Sequence, residues 1–116
     1  MGSVGTGSFG DYKPQRDENL CFKKIEDVIL EEVARCEYYT NHAEVPPMMQ
    51  AVAVKTSLYN GRIAVESRDT KDVIGLLPSR FGYLLGCMKQ GHSYKGHIVF
   101  SVKNPLPKVM VTLNAM

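Results

Sequence analysis

From Met48 to Leu113 the chain runs in short stretches of alternating apolar residues cut by turn-forming residues, and this pattern most limits what it can fold into. Side chains two apart share one face of a strand. Met49, Ala51, Ala53 and Lys55 against Met48, Gln50, Val52 and Val54 therefore predict a strand that tolerates burial on both faces. Pro46-Pro47 cannot continue its ladder. Tyr59-Asn60-Gly61 supplies a turn, because Asn and Gly accept positive φ, and Ile63 and Val65 alternate beyond it as the second arm of a hairpin. A polar break at Ser67 to Asp72 precedes a short apolar strand, Val73 to Leu77, ended by Pro78. Phe81, Leu84, Leu85 and Met88 then recur at helical spacing until Gly91, with Gly82 and Gly86 four apart on the same helix. Tyr94 to Val102 and Val109 to Leu113, joined at Asn104 to Pro107, read as a closing hairpin. Several strands, one helix and a hairpin predict a small barrel or a strongly curved sheet with one helix.

The N-terminal third is harder to read. Residues 1–19 are Gly, Ser and charged residues almost without large aliphatics, and predict a linker-like or disordered segment. Phe22, Ile25, Ile29, Val33 and Cys36 fit a helix capped by Asn19 or Asp17, whereas Val28, Leu30, Ala34, Cys36 and Tyr38 fit one face of a strand. Periodicity leaves both readings open.

At 116 residues the chain has room for one domain, expected over 20–116. Its longest stretches without a charge are ten residues, against the roughly 20 apolar residues of a membrane-spanning helix, so no membrane partner is expected. The first residues lack the basic start and apolar run of a secretory signal. Cys21, Cys36 and Cys87 are few and odd in number, which predicts buried thiols in a reducing, cytoplasmic setting. The spacing Cys87, His92, His97 does not match structural zinc, and no metal is expected.

Charge is unevenly spread. Met1 to Pro47 carries a net charge of minus four and Met48 to Met116 plus six, so the second half, with its interleaved aromatics, has the composition of a weak polyanion binder. Catalytic signatures are lacking: no nucleophile elbow, zinc-protease motif or phosphate loop occurs, and neither catalytic residues nor a cofactor are expected. Tyr38, Tyr39 and Tyr59 fall at predicted element ends, where rings can line a cleft and stack bases.

The segments Glu37-Tyr38-Tyr39-Thr40, Met49 to Lys55, Tyr59-Asn60-Gly61-Arg62-Ile63-Ala64-Val65 and Ile74-Gly75-Leu76-Leu77-Pro78 with its following helix together resemble a HIRAN domain over about Val28 to Asn114. The resemblance implies a mainly-β, α+β chain: a small OB-like barrel of about six strands with a helix after the fourth. It also implies binding of single-stranded DNA at its 3' end, in the setting of DNA repair. Carried over, Tyr38 is a base-stacking platform and Tyr59 a wall of the same aromatic pocket, which Tyr39 completes. Asn60 stands where the family has an aspartate, and Glu37 where it has a basic residue. Arg62, Lys55, Arg80 and Lys103 are phosphate candidates by charge and position. The resemblance also resolves the N-terminal ambiguity toward a strand from about Val33 to Tyr39, and the helical spacing ahead of it is kept as a short helix near Phe22 to Leu30 feeding that strand. The competing expectation is a protein-interaction barrel or homodimer without DNA.

Overall fold

The computed structural model describes residues 20–116, so the linker-like segment expected over 1–19 lies outside the described residues. Six antiparallel strands form one curled sheet: β1 (Ile25–Ile29), β2 (Ala51–Val54), β3 (Ala64–Ser67), β4 (Val73–Leu76), β5 (Tyr94–Val102) and β6 (Lys108–Ala115), in the order β1-β6-β5-β2-β3-β4. The expected mainly-β architecture is present. Just beyond β1, Glu31 pairs with Leu76 of β4 through two backbone hydrogen bonds of 2.7 and 2.9 Å, so the two ends of the sheet meet at a single bridge.

The β2–β3 connection follows from its residues. Asn60 and Gly61 both have positive φ, 52° and 77°, and Tyr59 and Arg62 exchange backbone hydrogen bonds across them, the two-residue turn that matches strand twist. Deeper in the barrel, Gly96 pairs with Val52 on one side and Leu113 on the other. A methyl group built there would overlap the carbonyl oxygen of Thr112, so β5 can coil this closely against β6 only with glycine at 96. Inward residues of all the strands, among them Val52, Val65, Ile74, Ile98 and Val111, share one core with Leu84 and Cys87. The latter two belong to α2 (Leu84–Lys89), which follows β4 after a 3-10 turn at Ser79–Phe81. Gly86 on this helix has no neighbour near its absent side chain, so the Gly82/Gly86 pair makes no close helix packing there.

Three N-terminal expectations need correction. Phe22 to Leu30 is not a helix: among the described residues helical backbone here ends at Phe22, and Ile25–Ile29 is strand β1. A bulge with Asp27 at φ 53° puts Ile25 and Val28 on the same inner face, and the Thr112 hydroxyl accepts the Asp27 N–H at 3.2 Å. Val33 to Tyr39 is not a strand: Val33–Arg35 is a 3-10 turn and Glu37–His42 is a helix, α1. A Glu37 carboxylate oxygen accepts the Val73 N–H at 2.8 Å, and His42 meets Asp72 at 2.9 Å, so α1 lies along the outer edge of β4. Finally, Cys21 and Cys87 are not thiols but a disulfide joining the N-terminal turn to α2.

Among the described residues no helix is long and apolar enough to cross a membrane.

Candidate nucleic-acid interface

The expected tyrosine pocket is distributed over two elements. Tyr38 and Tyr39 lie on α1, both half-buried, with the Tyr38 ring 4.3 Å from that of His42. Tyr59, on the hairpin, packs on the patch formed by Cys36, Ala64, Val73 and Leu76. Burial raises the pKa of its hydroxyl, and the charges of Glu37 and Cys36 raise it further. Asn60 is exposed at the turn tip. Arg62, beside it, is already committed. Its Nη2 donates to Glu31 and to the Leu77 carbonyl, both at 2.7 Å, and its Nη1 lies 3.7 Å from Glu32. Glu31, Glu32 and Glu37 thus surround the hairpin with carboxylates, a field of the wrong sign for a phosphate.

Two further cation candidates are paired on the surface: Lys55 lies 3.9 Å from Glu66 and Lys103 3.5 Å from Glu44. The more exposed Lys103–Glu44 pair is worth roughly 1 kcal/mol or less and would exchange partners readily, whereas Glu66 is mostly buried beside Lys55. Arg80 differs. Its guanidinium lies over the Phe81 ring at 4.7 Å, a cation–π geometry.

Arg80 and Phe81 open onto a cleft of about 200 Å³ whose opposite wall carries Lys23 and Lys24, with Tyr83 and Val28 among its other lining residues. Glu26 is its one acid among the described residues, 3.7 Å from Lys24 in an exposed pair. Among the described residues Lys23 and Arg80 have no carboxylate within 4.0 Å. Three cations and two aromatic rings therefore converge where Leu20 to Val28 crosses the start of the α2 region. Sequence reasoning missed Lys23 and Lys24 because they belong to the acidic half. The available signal was local: Phe22-Lys23-Lys24 and Arg80-Phe81 each set a base beside an aromatic.

A separate, more apolar cavity of about 270 Å³ lies between the hairpin and the α2 region, lined by Leu58, Ile63, Leu77, Pro78 and Leu85, with Arg62 at its rim. The remaining cysteine, Cys36, is buried, and its thiol is pushed up to about 11 by burial first and then by Glu32 and Glu37. It is therefore expected to ignore a thiol reagent at pH 8 in the native protein. On unfolding without reductant one thiol per chain should react, and all three after reduction. Two or more reactive thiols before reduction would contradict the pairing.

No metal-holding cluster of His, Cys, Asp or Glu occurs among the described residues. Comparison with family models, curated proteins and solved structures yields no match for the chain.

Proposed function

We propose that this barrel is a non-catalytic module that binds single-stranded nucleic acid, DNA in the first instance, in a cytoplasmic setting. One observation carries the reading: Lys23, Lys24 and Arg80 converge on a cleft that also presents Phe81 and Tyr83. Cations along a groove hold the backbone and release its counterions, while aromatic faces stack bases whatever their identity. A narrower form, in which the 3' end is gripped at Tyr38, Tyr39, Tyr59 and Asn60, rests on the family resemblance and is set against the carboxylates around the hairpin.

Fluorescence anisotropy of a labelled single strand across a salt series tests this. Three phosphate contacts predict that log K falls against log salt with a slope of about −2. Arg80→Ala should weaken binding about tenfold, with little change in melting temperature because Arg80 is exposed. An unchanged affinity in that variant removes the cleft assignment. Binding abolished by a blocked 3' end and by Tyr59→Ala would move the contact to the hairpin.

The second reading, self-association, also has a specific observation behind it. Ile29, Met110 and Phe100 stand side by side across β1, β6 and β5, and Ile29 and Phe100 are 44% and 43% exposed. Such an apolar row suits a protein contact. No binding at low salt, together with a salt-insensitive dimer in light scattering, would favour it.

A further inference from the structure

We infer that the Cys21–Cys87 disulfide sets the affinity of the basic cleft, so that ligand binding there is under redox control; the inference rests on the polyanion-binding reading above. The covalent bond and the cleft share their frame. Cys21 lies two residues before Lys23 in the helical turn at residues 20–22, and Cys87 lies on α2, the helix that follows Arg80, Phe81 and Tyr83. Leu20 and Tyr83 line both the cleft and a neighbouring cavity of about 180 Å³ that has Cys21 and Cys87 in its walls. The disulfide is thus the covalent tie between the wall carrying the lysines and the wall carrying Arg80.

Without it, what fixes residues 20–24 among the described residues is noncovalent: Cys21 stays packed in the core at 1% exposure, whereas Lys23 and Lys24 are exposed. Ahead of β1 they are held by a hydrogen bond from the Tyr94 hydroxyl to the Cys21 carbonyl (2.8 Å), a Lys23-to-Leu20 backbone bond of 3.2 Å and an edge contact between Phe22 and His92. Arg80 sits beyond β4 and keeps its place on Phe81. Reduction therefore separates the cations of the cleft instead of removing them all.

The reductant is a dithiol. One of its thiolates attacks Sγ of either cysteine, the S–S bond breaks, and its electron pair leaves on the other sulfur, which takes up a proton. The second thiol of the reductant then closes on the mixed disulfide and releases the first cysteine as a thiol. The chain gains two electrons and two protons, and the dithiol becomes a disulfide. Both cysteines are buried, 1% and 3% exposed, and the cavity of about 180 Å³ that they line is the side from which the reagent would approach. In a reducing compartment a disulfide is commonly transient and redox-sensing, in keeping with such a switch.

The test measures binding of a labelled single-stranded oligonucleotide to oxidised and dithiol-reduced protein at 10 °C across a salt series. Release of two lysines should flatten the salt slope by about 1.4 and weaken binding at least about tenfold at 50 mM salt. The double variant Lys23→Gln/Lys24→Gln, kept oxidised, should bind like the reduced wild type and lose nothing further on reduction. Equal affinity of oxidised and reduced wild type would overturn the redox inference and leave the binding reading standing. A further large loss when the lysine variant is reduced would also overturn it, because the effect would then come from general unfolding. If the oxidised wild type does not bind, the binding reading itself fails.

Discussion

Alanine at position 96 is expected to lower the stability of the barrel by about 3 kcal/mol or more, and the melting temperature by roughly 12 °C or more. The cause is backbone, not side-chain, crowding. The added methyl would overlap the Thr112 carbonyl oxygen and lie 2.9 Å from the Leu113 Cα, both on the partner strand, so no rotamer change relieves it. Either β5 and β6 move apart or their ladder breaks, and Leu113, which pairs with Gly96, is fully buried. Gly86→Ala is the matched control. Gly86 lies inside α2 with nothing near its absent side chain, so alanine there should stabilise by about 0.5–1 kcal/mol. Thermal melts of the two variants should therefore move in opposite directions, and a Gly96→Ala protein that melts with the wild type would refute the close packing of β5 on β6.

The second large effect is expected at the disulfide. Cys21 and Cys87 are 66 residues apart, and in the chain-entropy account closing a loop of that length restricts the unfolded chain by about 4 kcal/mol. That is a large share of the roughly 5–15 kcal/mol by which a domain is stable. Cys21→Ser should thus melt about 16 °C or more below the oxidised wild type. Guanidinium unfolding with and without reductant checks it: the wild-type midpoint should drop on reduction toward that of the variant, and the variant's should not move. A wild-type midpoint indifferent to reductant would mean that the bond does not form in solution.

The parts of the fold legible in the sequence are those where local chemistry and the final structure agree. Asn60-Gly61 specified its turn because only residues tolerant of positive φ fit there, and β6 kept its inward alternation at Val109, Val111 and Leu113, whereas in β5 a register shift after Ile98 turns Phe100, expected on the same face, out to solvent. Strand β1 misled for a physical reason. The helix reading counts Phe22 and Ile29 as inward, yet both are exposed; the bulge at Asp27 inserts one residue and sets the inward positions three apart, at Ile25 and Val28, so a simple strand alternation could not show there either. Helix α1 was invisible for the opposite reason: it buries no residue completely and owes its place to Glu37 and His42 meeting groups of β4 and the turn before it. The odd cysteine count suggested unpaired thiols, yet it reflects one distant pair plus the buried Cys36. For the candidate site, Arg80 was identified from the sequence. The lysines opposite it were not, since only the return of residues 20–28 across the α2 region brings them near.

The seam between Glu31 and Leu76 has a consequence for how this protein fails. Strands β5 and β6 are paired at eight positions, whereas the two ends of the sheet meet at one, braced by Arg62 reaching Glu31, Glu32 and the Leu77 carbonyl. Local opening follows the least-bonded path, so this line is expected to open before the hairpins do, which faster amide hydrogen exchange at Glu31 and Leu76 than along β5 and β6 would show. What is uncovered then is a pair of unsatisfied strand edges, the template on which sheets of different molecules join and aggregates start. Arg62 and its two glutamates, their side chains all at least half-buried, therefore act as a guard on that edge.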